Sequence, residues 1–296
     1  MKKYFAAIAA TLSGLACFSQ VFEVESMQRV RLPEGVRAEQ AIPSPDGNTV
    51  AFRDFDGTLK LTDRMSGAVR TISANGSMMD LAFTGTGSVI YREASVDAFR
   101  RRYVAVKKYD ISDGTSALVS APSRNLQAVA VRKSDVATVD GGAVLYKKAS
   151  AAADFPVVSI DRGLMYVHRG GVRTQVCPLG TEGMSYLWPS VSPDGRRLLF
   201  FAAGYGTYTC NLDGSGLRRL GYVWAPVWYD AGRVVGMVTE DDGHVTTSGY
   251  ILGLKADGSE SQRLTDESQI AVLPATGAGR ISYTTTSGEL YYINVR

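Results

Sequence analysis

The phrase Ser-Pro-Asp-Gly stands twice between apolar runs, as IPSPDGNTVAF at 42–52 and as SVSPDGRRLLFF at 190–201. It constrains the chain more than any other feature. Proline has no N–H and fixes φ, so it belongs at a strand's end. Glycine accepts positive φ at little steric cost. Asp-Gly between apolar runs is a hairpin signal. Ser-Pro-Asp-Gly is therefore a corner that ends one strand and reverses the chain into the next.

The corner belongs to a longer unit. Residues 186–221 divide into YLWPSVSPDG, RRLLFFAAG, YGTYTCNLDGSG and LRRLG. Each piece is short, rich in β-branched or aromatic residues, and closed by a glycine-containing turn, as strands are. The same grammar returns at 38–73, at 222–265 and, with a long internal loop, at 79–120. Shorter copies follow at 126–148 and 155–180, and 269–295 is the last. A period of about 40 residues with four short strands per repeat predicts an all-β fold, a single β-propeller of four-stranded blades. A β-sandwich of about 100 residues would not recur at that period. Thirty-one glycines against ten prolines suit many tight turns.

Seven strand–corner–strand hairpins can be counted, with corners near Gly47, Gly87, Asp135, Gly163, Gly195, Gly232 and Gly279. Seven blades is the expectation. Six is the alternative, with 126–148 and 155–180 forming one irregular blade. The last repeat stops after three strands. VFEVESMQRVRLP at 21–33 reads as a spare strand able to complete it and close the ring, which would otherwise expose strand edges.

SPDGRRLLFF followed by TYTCNLDGSGLRRLG resembles the TolB-like propeller repeat. The match is strong at 186–221, good at 38–73 and 222–265, and weak between 121 and 180. The resemblance implies a WD-repeat-like propeller, commonly of six blades, working in an envelope assembly of a bacterium with two membranes. The motif is specific for the blade and silent about the ligand.

Residues 1–19 stand apart. Lys2 and Lys3 precede an apolar run from Tyr4 to about Ala16, and small residues follow at Cys17 and Ser19. This is the order of a secretory signal peptide, too short to span a bilayer. Cleavage after Ser19 leaves 20–296 as the propeller domain, periplasmic or extracellular. The alternative is a lipoprotein box at Gly14–Cys17, with lipidation of Cys17 as the only attachment to a membrane. Cys177 and Cys210 then remain. An oxidising compartment permits a disulfide, but equivalent strands of neighbouring repeats lie too far apart to bridge, so two buried free thiols are expected.

A formal net charge of +3 gives no case for nucleic acid. Two histidines, His168 and His244, are few for a metalloenzyme or lyase. There is no G-x-S-x-G elbow and no phosphate-cradling glycine loop. The expectation is no catalytic residues, no metal and no cofactor.

Three groups are candidate binding features. Tyr186, Trp188, Tyr222 and Trp224 precede the corners of two successive repeats and would gather on one rim, where Trp and Tyr suit interfaces; inter-blade packing is the alternative. Trp228 is assigned to the core. Arg100, Arg101, Arg102, Lys107 and Lys108 form a second, basic patch suited to an acidic partner or an anionic glycan, with a solvated loop as the alternative. Glu240, Asp241, Asp242 and His244 lack the alternating spacing of a calcium loop and read as a solvated turn. The function expected is a secreted, non-catalytic scaffold that binds an envelope protein or peptide segment. The alternative is a glycan-binding module, or a weak glycan-active enzyme, using the aromatic rim.

Overall fold

A computed structural model describes residues 20–147, 155–266 and 268–296. The expected signal segment, with Cys17 and the cleavage site after Ser19, lies outside the described residues. The described chain folds into seven sheets arranged as the blades of a propeller.

β1 (Val24–Val30) precedes the ring. Blade 1 holds β2 (Ala38–Pro43), β3 (Thr49–Asp54), β4 (Leu59–Asp63) and β5 (Val69–Ser73). Blade 2 holds β6 (Gly76–Thr84), β7 (Ser88–Val96), β8 (Arg102–Asp110) and β9 (Ser116–Ser123). Blade 3 holds β10 (Leu126–Arg132), β11 (Asp135–Asp140) and β12 (Ala143–Lys147). Blade 4 holds β13 (Val157–Asp161), β14 (Leu164–Arg169) and β15 (Val172–Gln175). Blade 5 holds β16 (Tyr186–Val191), β17 (Arg197–Ala202), β18 (Gly206–Asn211) and β19 (Arg218–Gly221). Blade 6 holds β20 (Trp224–Trp228), β21 (Arg233–Asp241), β22 (Thr246–Lys255) and β23 (Ser261–Arg263). Blade 7 holds β24 (Ala271–Gly277), β25 (Arg280–Thr285) and β26 (Leu290–Val295). The ring is closed as the spare N-terminal strand predicts: β1 pairs antiparallel with β26 and becomes the outer strand of blade 7.

All seven expected corners join the first two strands of a blade. The two Ser-Pro-Asp-Gly copies share one wiring. Ser44 Oγ donates to Asp46 (2.5 Å) and accepts from Thr49 N–H (3.0 Å). Ser192 Oγ donates to Asp194 (2.5 Å) and accepts from Arg197 N–H (2.9 Å). Gly47 and Gly195 take φ of 70° and 77°, and each donates its N–H to the serine carbonyl. The serine bond is the main cause holding both aspartates below the usual carboxylate range.

The four-strand expectation holds for five blades. Blades 3 and 4 have three strands each among the described residues. Parity fixes what this does to the chain direction. A blade of four strands returns the chain to the face from which it started; a blade of three leaves it on the other. β12 therefore delivers the chain to the corner face, and the inner strand of blade 4 runs backwards. Pro156, just before β13, lies beside the Gly195 corner together with Arg132, at the end of β10. At the far end of β13, the Gly163 carbonyl accepts from Tyr186 N–H (2.8 Å), at the start of β16. So β13 is antiparallel to β10 and β16, which flank it. A second three-stranded blade restores the direction, and blade 5 proceeds normally. Two separate degenerate repeats, rather than one irregular blade, follow from this.

Apolar residues from facing sheets fill the seams. Leu198 and Phe200 of β17 point to blade 4, where they pack with Val158 and Met165 of that blade and with Tyr186 of their own. Leu199 points to blade 6 and packs with Val223, Trp228 and Val234. β17 is buried on both sides, which explains its unbroken apolar run. Trp228 is in the core as expected. Cys210 is buried and Cys177 half-buried, both as free thiols in the seam between blades 4 and 5. Burial pushes the Cys210 thiol up to about 12, so it stays protonated and unreactive.

The turn after β17 gives one test. Gly206 has φ of 106°, and a Cβ there would lie 2.5 Å from the Gly221 carbonyl oxygen. Gly204 also has positive φ, but nothing lies within 4 Å. Gly206→Ala is expected to lower stability by more than about 2 kcal/mol in urea unfolding, and Gly204→Ala by about 1 kcal/mol. Equal losses would contradict the close approach of the two turns.

Candidate functional site

Inner strands start on one face of the ring, opposite the corners, with the inverted β13 excepted. The ends of β17 and β21 and the tip of the β7–β8 hairpin share that entry face. There Trp188, Tyr222 and Trp224 come together with a residue the sequence reading missed, Phe201. The Phe201 ring stacks on Trp224 (4.6 Å between centroids, 22°), meets Tyr222 edge-on (5.4 Å) and tilts against Trp188 (5.5 Å). Trp188 and Trp224 meet edge to face at 5.8 Å, and Tyr222 and Trp224 at 5.4 Å. Phe201 is fully buried, while Trp188 is 45% and Tyr222 47% exposed. The arrangement is a platform with a buried aromatic floor. Leu187 and Tyr205, both exposed, extend it. Phe201 was legible as the fourth apolar residue of a run too long for a one-sided strand.

Tyr186 does not belong to this surface. It is fully buried, its ring tilted against Phe200 in the blade 4–5 seam. Its hydroxyl accepts from Leu179 N–H (3.0 Å) and donates to the Gly180 carbonyl (2.9 Å), pinning the loop that leads from blade 4 into blade 5. Strand alternation turns Tyr186 into the seam.

Trp188 has φ of 47°, at a bulge between Leu187 and Ser190 where the β16–β17 register shifts. Asp80, Ala225 and Leu273 occupy similar left-handed positions in bulges of β6, β20 and β24. Such a conformation costs a non-glycine residue about 1 kcal/mol or more. The bulge recurs in four blades and so belongs to the fold; in blade 5 the residue it carries is a half-exposed tryptophan.

The basic patch divides. Arg101 is paired with Asp97 (2.7 Å) and lies over the Phe99 ring, and Lys107 is paired with Glu93. Arg100 forms the φ = 60° tip of the β7–β8 hairpin, and Arg102 and Lys108 are exposed. The hairpin stands across the ring from the aromatic platform. In the 239–249 loop, Asp241 and Asp242 accept hydrogen bonds from their own turn and Glu240 from Ser248. Among the described residues no group of three or more His, Cys, Asp or Glu is placed to hold a metal.

His168 lies inside blade 4, its Nε2 2.8 Å from Ser159 Oγ. Burial, and secondarily Arg173, lowers its pKa. The unfolded chain therefore takes up a proton first as pH falls. The contribution is fully present above about pH 6.5 and is lost as pH drops from there toward the folded value. The melting temperature of the wild type is expected to fall more steeply between about pH 7 and about pH 5 than that of His168→Asn. Parallel curves would mean that His168 takes up its proton alike in the folded and unfolded chains, so that burial does not lower its pKa.

No protein-family model matches the chain, and no curated protein matches it. Solved structures do. The Swd1 β-propeller domain of Myceliophteria thermophila is 10% identical, with a TM-score of 0.57, covering 90% of this chain and 99% of that one. A catalytically inactive variant of virginiamycin B lyase from Staphylococcus aureus, solved with quinupristin, is 11% identical, with a TM-score of 0.58, covering 92% and 99%. At such identities the likeness establishes the fold, a β-propeller, and nothing finer.

Proposed function

We propose that the protein is a non-catalytic scaffold that binds a protein or peptide segment across the aromatic platform of blades 5 and 6, as a TolB-like propeller exported to the cell envelope. The observation that carries this is Trp188: a tryptophan half in water over a buried aromatic floor. Packing alone does not call for that exposure. Amphipathic aromatics on a rigid support are what binding hot spots use, and rigid rings present loops well. Neither histidine supports a catalytic reading. His168 is buried in a bond to Ser159, and His244 sits at the tip of the β21–β22 hairpin.

Exposed Trp and Tyr rings also suit sugar stacking, so glycan binding is the second reading. Tryptophan fluorescence separates the two, because only Trp188 and Trp224 of the three tryptophans reach the platform. A shift on titration with peptides of the envelope, and none with an oligosaccharide panel, is the expected result. Saturable response to an oligosaccharide would replace the protein-binding reading with the glycan one.

A further inference from the structure

The reversal of blade 4 has a consequence on the corner face. In a regular blade the second strand ends on the entry face; in blade 4 it ends among the corners, and it carries Arg169 there. Arg132, from the end of β10, and Arg196, from the Ser-Pro-Asp-Gly corner of blade 5, line the same concavity of about 520 Å³. No side-chain hydrogen bond or ion pair to another described residue holds any of the three. Asp194 and Asp213 are also on the rim. Their carboxylates are occupied by their own turns, Asp194 with Ser192 and Arg196 N–H, Asp213 with Ser215. Arg196 helps to keep Asp194 ionised, and the rim retains an excess of one positive charge.

This mouth continues inward. Arg132, Pro156 and Gly195 also line a second cavity of about 280 Å³, which runs up the central channel beside β10, β13 and β16. Its walls are apolar over somewhat more than half of their surface, with Val131, Phe155, Pro156, Pro189 and Pro193 among them. The Ser190 hydroxyl on this wall is inaccessible to solvent and has no hydrogen-bond partner. Ser190 Oγ is closed off from the cavity space, so an apolar body can lie along this wall without meeting a polar group there. At the far end Asp80 is held by Arg92 and by Val129 N–H (2.7 Å), so neither charge is free to receive a head group.

We propose that the corner face holds a binding site for a small amphiphilic anion: a carboxylate or phosphate seated among Arg132, Arg169 and Arg196, with a short apolar body inserted between β13 and β16 toward Ser190. Guanidinium forks suit both head groups. The size of the inner cavity is near the lower limit for small-molecule sites. The site is separate from the aromatic platform, on the other face.

Calorimetric titration of the mature chain with hexyl phosphate tests it, with inorganic phosphate and 1-hexanol as single-feature controls. Hexyl phosphate is expected to bind at least about tenfold more tightly than either control. Arg169→Gln and Arg196→Gln, both on exposed side chains, are each expected to weaken it about tenfold, whereas Trp188→Ala leaves it unchanged. Ser190→Leu, which adds bulk to the wall of the inner cavity, should reduce the preference over inorganic phosphate; the two arginine variants decide the matter if that protein fails to fold. Equal affinity for phosphate and hexyl phosphate would reduce the site to a basic surface, and no saturable binding of hexyl phosphate would remove it.

Discussion

Phe22→Ala is expected to lower the unfolding free energy by about 3–5 kcal/mol, a large share of the stability of a domain this size. Phe22 lies before β1 and is fully buried. Its ring meets Tyr229 edge to face at 4.9 Å and lies under the Arg233 guanidinium at 4.8 Å. It occupies the space that a side chain at Gly253 would need, since a Cβ there would come within 2.6 Å of the ring. Its backbone N–H donates to Gln262 Oε1 (2.8 Å). Phe22 therefore plugs into blade 6, while β1, two residues on, is the outer strand of blade 7. The segment clasps two blades at the point where the ring closes. Removal of residues 20–30 is expected to do more, because it also uncovers the edge of β26, which invites intermolecular pairing. Urea unfolding of Phe22→Ala checks the first, and size-exclusion chromatography of the truncated chain the second. A loss below about 1 kcal/mol for Phe22→Ala would mean that the ring is held closed without its clasp.

The second large effect separates the floor of the platform from its surface. Phe201→Ala removes a fully buried ring that touches Trp188, Tyr222 and Trp224. It is expected to cost about 3–5 kcal/mol through transfer and cavity terms. Trp188→Ala combined with Trp224→Ala acts on exposed or half-exposed rings and is expected to cost much less, because water already reaches them. Partner affinity should respond in the opposite order relative to stability: the double variant stays folded and loses binding by about a hundredfold or more, on the scale of two hot-spot residues. Thermal unfolding beside a binding titration reads both quantities. If the double variant unfolds as readily as Phe201→Ala, the tryptophans are packing residues.

The propeller was legible because its corners repeat. The serine and aspartate of Ser-Pro-Asp-Gly bond to the turn they occupy, so the phrase carries its own geometry. Closure by 21–33 was legible too, since the last repeat ran one strand short. The reversal of blade 4 was not. It follows from counting strands across two repeats, and the short copies at 126–148 and 155–180 offered hairpins without saying which face each began on. Placement of the aromatics was half legible. Trp188, Tyr222 and Trp224 gather on one face, but Tyr186 alternates away into the seam, and Phe201 was hidden in an apolar run that serves both sides of its strand. The basic patch showed as composition only; Asp97 and Glu93, which neutralise Arg101 and Lys107, come from the same hairpin.

The most direct measurement is affinity capture from envelope extract of the source organism with the chain from Gln20 onward, run beside the Trp188→Ala/Trp224→Ala protein after its fold has been verified by thermal unfolding. A discrete protein is expected to be retained by the wild type and lost by the folded double variant. Retention of the same protein by both would contradict a scaffold that works through the platform of blades 5 and 6.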